Sequence, residues 1–492
     1  MLEPKDIAAP DPVVSLDEET IIDTSDIALS IRFASRYEGN LRFVGQWSRW
    51  WSWTGHRWEM DHKMATWSKA KSLLMGLAKR IYRVELAREM VAIDAMSDIL
   101  SETDRRKRRK HAKRKALLAA KPIKGQTTVA ATINLARSDE RLVSAADEWD
   151  ADPWALNTPT GTIDLKKGTI RKHNPVDLIT MRTAAGPLLG KAPRWTEFLK
   201  TVMDGDDEMV TYLQRILGYC LTGTTGEQAM FFAFGTGANG KSVILNTIGG
   251  ILGDYHKSTA METFILTQDY RHPTELANHR GARIVTASET QKGRRWDEVK
   301  VKRLTGGDPI SARFMRQDFF EFLPQFKLFI TGNHKPTLTS VDEAMRRRFN
   351  LIPFTVTVPQ ARRDPFLVEK FKEEWPQILG WMIEGCLQWQ LMRLRPPHAV
   401  VEATESYMSM EDSFAAWYED CCNFNSYGFE TIGDLFTSWE TWANKAGDRI
   451  GTKKEFSQTL LTRSDVLKIK YRKTNQGRGF DGLSLTAGRE AA

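Results

Sequence analysis

From Gly235 to Ser242 the chain reads Gly-Thr-Gly-Ala-Asn-Gly-Lys-Ser, a Gly-x-x-x-x-Gly-Lys-Ser loop whose residue types suit phosphate oxygens. Gly235, Gly237 and Gly240 let the backbone curl so that its N–H groups point inward. Thr236, Ala238 and Asn239 complete the cradle. Lys241 is placed to reach β- and γ-phosphates, and Ser242 to offer a hydroxyl to Mg²⁺. ATP with Mg²⁺ is therefore the expected ligand. The flanks agree. Phe231 to Phe234 is a short apolar run that reads as a buried strand, and Val243 to Ile251 reads as the following helix, whose positive dipole end faces the loop.

A second set of chemical residues lies downstream. Ile284 to Ala287 reads as a strand with Glu289 just past its end, where a carboxylate would sit near Mg²⁺ and the attacking water. Ser288 precedes this single acid, so the division between metal coordination and base catalysis stays open. Lys327 to Thr331 is another apolar strand, followed by Gly332 and Asn333, an amide able to hold water or a γ-phosphate oxygen. The run Arg346, Arg347, Arg348 then precedes Leu351 to Phe354, and an arginine there can complete a neighbouring subunit's site. Between these, Lys302 to Arg313 leads into Phe314 to Phe322, read as two short strands about the polar tip Met315 to Asp318. A cationic tip between aromatic flanks can follow a nucleic-acid backbone, with an ordinary exposed hairpin as the plain alternative.

The elements that position these residues belong to a chain of 492 residues, enough for two to four domains. With 41% hydrophobic and 27% charged residues it reads as globular. No apolar stretch approaches the roughly 20 residues needed to span a bilayer, and the acidic N-terminus has no apolar signal core. A cytoplasmic protein without a membrane partner is expected. Cys220, Cys386, Cys421 and Cys422 lack C-x-x-C spacing, which argues against a zinc site or a disulfide framework. The balance of 70 basic against 62 acidic residues fits a polyanion partner without requiring one.

In chain order, residues 1–25 form an acidic leader and 26–125 a tryptophan-rich, helical region. Leu41 to Val44 and Arg57 to Glu59 read as strands. Trp47, Trp50, Trp51, Trp53 and Trp58 are expected to form a small aromatic core rather than a base-stacking platform. Helical spacing runs from Ala65 to about Leu118 and contains Arg105 to Lys110 with Lys113, Arg114 and Lys115. That run repels itself unless anions neutralise it; it reads as a phosphate-backbone contact, with a solvated helix face or linker as the plain alternative. Residues 126–225 read as α+β, 226–395 as the ATPase domain, and 396–492 as a C-terminal domain. In that last part three helices (Phe414 to Cys422, Ile432 to Ala446, Lys453 to Thr462) precede strands at Leu467 to Arg472 and Gly482 to Leu485. This order suits a winged helix.

These motifs together resemble a superfamily 3 helicase of the phage and plasmid primase–helicase family, the group with a poxvirus-type N-terminal extension. The matching stretches are Trp149 to Trp154, Leu156 to Gly161, Gln214 to Tyr219, Gly237 to Ser242, Leu304 to Asp308, Gly332 to Pro336, and Arg346 to Arg348 before Ile352 to Phe354. They share one register across roughly 147–360. The resemblance implies an α/β, AAA+-like P-loop ATPase core with a mixed α+β N-terminal region and a C-terminal winged-helix-like domain. It implies a ring, usually a homo-hexamer, translocating on single-stranded DNA and unwinding forked DNA. It also implies Lys241 and Ser242 on phosphates and Mg²⁺, Glu289 as the Walker B acid and Asn333 as the sensor. Arg347 or Arg348 would be the finger in trans. Arg316 falls where the pore hairpin contacts DNA, with Lys302 heading the motif before it and Arg313 beside it as the other expected DNA-binding residues. Larger relatives carry a primase–polymerase domain upstream; the N-terminal region here is too short for one. A helicase without its own primase site, served by a separate primase or polymerase, is expected. An origin-binding initiator or loader, and an ATP-gated assembly scaffold, are the alternatives.

Overall fold

Four short segments, each largely apolar over five or six residues, cannot present one face to water, and they pair, with a short polar strand added at one edge, into one parallel sheet. Its strands are β1 (Met230–Phe234), β2 (His256–Ser258), β3 (Ile284–Ser288), β4 (Lys327–Gly332) and β5 (Phe349–Pro353), in the spatial order β5-β1-β4-β3-β2. β2 is the short edge strand and the most polar of the five. The computed structural model describes residues 22–96, 98–266, 274–288, 294–314, 318–336, 338, 341–411, 413–448, 450–475 and 477–486. By contact the chain divides into two units, one running to Ala151 with His173–Thr180, the other Asp152–Lys172 with Met181 onward.

The sheet belongs to the second unit. Its strands alternate between two cores. Phe231, Ala233, Ile284, Phe329 and Ile352 face one cluster, whereas Met230, Phe232, Val285, Leu328 and Ile330 face the other. The first cluster is roofed by the helices Pro193–Val202, Asp207–Leu221, Lys241–Leu252 and Trp375–Met392. Asp207–Leu221 and Trp375–Met392 cross closely because glycines stand at the contact. A Cβ on Gly218 would lie 2.1 Å from the Cys386 nitrogen, and one on Gly385 would lie 2.1 Å from the Gln214 oxygen. The antiparallel strands Ala155–Thr158, Gly161–Asp164 and Thr169–Arg171 border the same cluster through Leu156 and Ile163.

The hairpin expected over Phe314 to Phe322 is built from Ile310–Ala312 and Phe320–Phe322. Its first arm starts earlier because Ile310 and Ala312 are buried while Ser311 points out, the alternation a strand requires. Phe314, just beyond the paired residues, stacks on Phe320, the partner of Ala312, at 5.5 Å. The C-terminal part runs helix Ser413–Cys421, strand Cys422–Thr431, helices Ile432–Ala446 and Lys453–Leu467, then strands Lys470–Thr474 and Gly477–Leu485. Its three strands form an antiparallel sheet with Gly477–Leu485 central. The strand Cys422–Thr431 was not expected from its sequence.

The first unit carries a four-stranded sheet of Trp58–Met60, Arg49–Trp53, Leu41–Val44 and Val143–Ser144. Trp58 and Trp149 are buried at its face, with Trp47, Trp51 and Trp53 half-buried around them. The long helical stretch divides into α1 (Ala65–Asp94) and α2 (Glu102–Ala119). Ser101 caps α2 by accepting from the Asp104 N–H. No helix of the described residues is long and apolar enough to cross a membrane.

Candidate active site

Parallel pairing fixes which residues can meet at the site. Gly332 of β4 is in register with Phe234 of β1, so the next residues, Asn333 and Gly235, leave the sheet side by side. Ser288 of β3 is in register with Thr331, which brings a third strand end to the same edge. Binding at the carboxyl ends of parallel strands, where the order doubles back, is the general rule for open α/β sheets. Here β4 is inserted between β1 and β3, and that insertion creates the crevice.

The loop after β1 is tightly held. A Cβ on Gly235 would fall 2.1 Å from the Phe354 oxygen, and Gly240, at φ +86°, would press one against Val202 at 2.6 Å. These two positions require glycine on steric grounds; Gly237 faces open space. The carbonyl of Ala238 accepts from the Val358 N–H at 2.9 Å. Asn239 is buried and donates from Nδ2 to the Phe354 oxygen at 3.2 Å. Its role as a brace within the loop is invisible in a pattern that treats it as any residue.

Lys241, at the first position of its helix, is 7% exposed. Its Nζ donates to the Gly235 oxygen (2.7 Å), the Thr236 oxygen (3.3 Å), Asn239 Oδ1 (2.9 Å) and Asn333 Oδ1 (3.3 Å). Burial lowers its pKa to about 8. These four acceptors are neutral, so the ammonium is desolvated without a counter-charge, which a phosphate would supply. The residues Gly237 to Val243, Ser288, Thr331, Gly332 and Asn333 line a pocket of about 300 Å³. The Ser242 hydroxyl is exposed within it. A buried cation, an exposed hydroxyl, free helix N–H groups and a glycine curl fit a triphosphate with Mg²⁺. Glu289 and Arg316 lie outside the described residues.

The three arginines differ sharply. Arg346 Nη1 bonds Glu405 Oε2 at 2.7 Å. Arg348 is 6% exposed; its Nε donates to Thr305 Oγ1 at 3.1 Å and its Nη1 to the Ala344 oxygen at 2.9 Å. Arg347 is exposed. The segment starts at Asp342, which caps Glu343–Arg346 by accepting from the Met345 N–H. Lys302 is ion-paired to the same carboxylate. Burial raises the Asp342 carboxyl, but the Lys302 ammonium and the Met345 N–H outweigh it and leave it below its ordinary value. Lys302 therefore ties the helix Glu298–Gly306 to the arginine segment. Arg313 lies over the Phe319 ring at 4.8 Å.

Arg348→Ala is expected to destabilise the fold by about 1–3 kcal/mol, because it strips a partner from the buried Thr305 hydroxyl and the Ala344 carbonyl. Denaturant unfolding measures this; a variant as stable as wild type would contradict the structural role.

Sequence reasoning also passed over Lys327 at the start of β4. It is 2% exposed, bonds the Thr222 carbonyl, and has its pKa lowered to about 7 by burial. With Arg283, which donates to the Asp152, Pro153 and Ala155 oxygens, it pins the chain leading into β1. Nothing local marks either residue as buried, since its partners are distant in sequence. All four cysteines are free thiols.

Family comparisons bear on both halves of the chain. A model described as D5 N terminal like matches residues 30–204. A second, described as a family of unknown function (DUF5906), matches residues 233–348, which include the phosphate loop. Among curated proteins, "Putative helicase L207/L206" of Acanthamoeba polyphaga mimivirus is 31% identical over 214 residues, covering 42% of this chain and 22% of that protein. "Putative helicase 022R" of Frog virus 3 (isolate Goorha) is 25% identical over 249 residues, covering 45% of this chain and 25% of that protein. The matched segments thus span about a quarter or less of those relatives. Among solved structures, the apo C-terminal region of NrS-1 (305–718) aligns over 94% of this chain and 100% of its own, at 11% identity and a TM-score of 0.46.

Proposed function

We propose that the chain, matched in part by the D5 N terminal like and DUF5906 models and by viral putative helicases, is a D5-type, superfamily 3 ATP-dependent DNA helicase working as a ring on single-stranded and forked DNA. The supporting observation is the convergence in one pocket of the Lys241 ammonium, the exposed Ser242 hydroxyl and the Asn333 amide. These are the parts that phosphoryl transfer to water requires beside an acid and a trans cation.

In this reading Lys241 moves from loop carbonyls onto β- and γ-phosphate oxygens. Ser242 and Glu289 would hold Mg²⁺, which when bound neutralises charge across the phosphates. Glu289 orients or deprotonates the water, and Asn333 fixes a γ-oxygen or that water. Arg347 of the neighbouring protomer supplies the last cation. It is chosen over Arg346 and Arg348 because those two are engaged within their own chain. A head-to-tail contact that closes yields a ring, read here as a homo-hexamer. The hairpin whose arms are Ile310–Ala312 and Phe320–Phe322 would carry Arg316 to DNA. The C-terminal order of helix, strand, two helices and two strands is read as a winged helix.

Steady-state ATPase measurement with and without single-stranded DNA, beside unwinding of a forked duplex, tests the proposal. Turnover stimulated by DNA together with strand separation supports it. Turnover without separation would favour the initiator reading, and negligible turnover the scaffold.

Lys241 also makes nucleotide binding pH-dependent. Its pKa of about 8 lies below the ordinary 10.5, and bound phosphate must raise it. Binding should take up a proton above pH 8, and affinity should fall by up to about tenfold per pH unit there. The sign for stability is opposite to that of a salt-bridged lysine. The charged group costs stability below about pH 8, and the cost fades as pH rises from about 8 to 10.5. Calorimetric titration of nucleotide in buffers of different ionisation enthalpy measures the uptake; none at pH 8.5 would contradict it.

A further inference from the structure

The basic run between Arg105 and Lys115 is not uniform once it is wound into α2. Helix geometry of 3.6 residues per turn divides it into two faces. The buried face carries Ala112 and Ala116 and packs antiparallel on α1. Cations flanking that face are matched by acids. Lys115 pairs with Glu85 and Glu89 of α1, Arg109 lies 3.8 Å from Asp94, and Arg105 lies 4.0 Å from Glu102.

The opposite face differs. Arg106, Lys107, Lys110, Lys113 and Arg114 are all exposed and fall within about 120° of one another around the helix axis. Acids on α1 are turned to the packed seam, and the sequence holds no Asp or Glu between Asp104 and Asp139. Folding therefore does not explain these five charges. Packed alongside one another they repel, so they are suited to a surface that is itself a dense line of anions.

We propose that this outer face of α2 is a binding surface for the phosphate backbone of duplex DNA. Charge complementarity identifies a polyanion. The absence of aromatic residues narrows it further. No Phe, Trp or Tyr occurs between Tyr82 and Trp149. Single-stranded nucleic acid is normally gripped by stacking bases on aromatic rings as well as by cations. A duplex hides its bases and presents phosphates alone, which a face of cations without rings matches. A membrane surface is disfavoured because the only large apolar side chains on that face are Leu117 and Leu118, at one end. The surface shares no residue with the ATP pocket, and binding there is expected without nucleotide.

The test compares the full chain with the triple variant Arg106→Gln, Lys110→Gln, Lys113→Gln, using fluorescence anisotropy of a labelled 30-base-pair duplex without ATP. Each lost phosphate contact lowers the slope of log affinity against log salt by about 0.9, so the triple variant should lose about 2.7 from the slope. Affinity at low salt should fall at least about tenfold. Basal ATPase and thermal midpoint should stay at wild-type values, which separates this result from failure of the ATPase reading or of folding. An unchanged slope and affinity would overturn the proposal. So would equal or tighter binding to double-stranded RNA, or binding to phosphatidylserine vesicles that the triple variant loses while duplex binding persists.

Discussion

Lys241→Ala is expected to reduce ATP turnover by at least about a hundredfold, the usual loss when one preorganised cation or donor is removed from a transferring group. The expectation rests on where the ammonium is before nucleotide arrives. It is 7% exposed, holds four neutral oxygens, and has a lowered pKa. Such a cation gains more from an incoming phosphate than a solvated one does, because its environment supplies no competing charge. The fold should survive, since the substitution also removes a charge that costs stability at neutral pH. Phosphate release at saturating ATP, read beside a thermal melt, separates the two effects. A folded variant with wild-type turnover would refute the site.

Arg347→Ala is expected to lower turnover by about a thousandfold or more, the range over which trans arginines act in phosphoryl transfer. Its stability should match wild type because the side chain is exposed and, among the described residues, none is shown hydrogen-bonded to it. Arg348→Ala should show the reverse balance, with a clear loss of stability. Kinetics and unfolding measured on both variants discriminate the neighbours. If Arg347→Ala keeps full turnover, the trans assignment fails.

Much of the candidate site's layout was legible because parallel, doubly buried strands are written as largely apolar runs. Met230–Phe234 and Lys327–Gly332 are of that kind, and the residues that end them, Gly235 and Asn333, follow from the runs themselves. Partners far away in sequence were not legible. Lys302 is expected as a DNA contact, and its ion pair to Asp342, forty positions on, could not be read from the sequence. Arg347 and Arg348 were equivalent by type, and only burial against Thr305 and Ala344 separates them. Cys422–Thr431 escaped because Asn423, Asn425, Ser426 and Gly428 are poor strand formers, and Ser426 shifts the apolar–polar alternation by one position. It is held by pairing with Gly477–Leu485 through an irregularity between Asn425 and Phe429. Arg49–Trp53 escaped similarly, its tryptophans suggesting a core without revealing that they sit on a strand. The tip of the hairpin and the acid after Ser288 fall outside the described residues, so Arg316 and Glu289 rest on the sequence alone.

The claim on which the rest depends is that each pocket is completed by the next protomer. Mixing two inactive proteins tests it directly. Lys241→Ala retains Arg347 but not its own phosphate grip; Arg347→Ala retains the grip but lends no cation. Mixed at equal amounts in a closed head-to-tail ring, about a quarter of the interfaces join an intact grip to an intact Arg347. ATPase activity should then rise from near zero to about that fraction of wild type. A mixture no more active than the sum of its two components, under conditions where the variants are shown to co-assemble, would contradict a shared pocket.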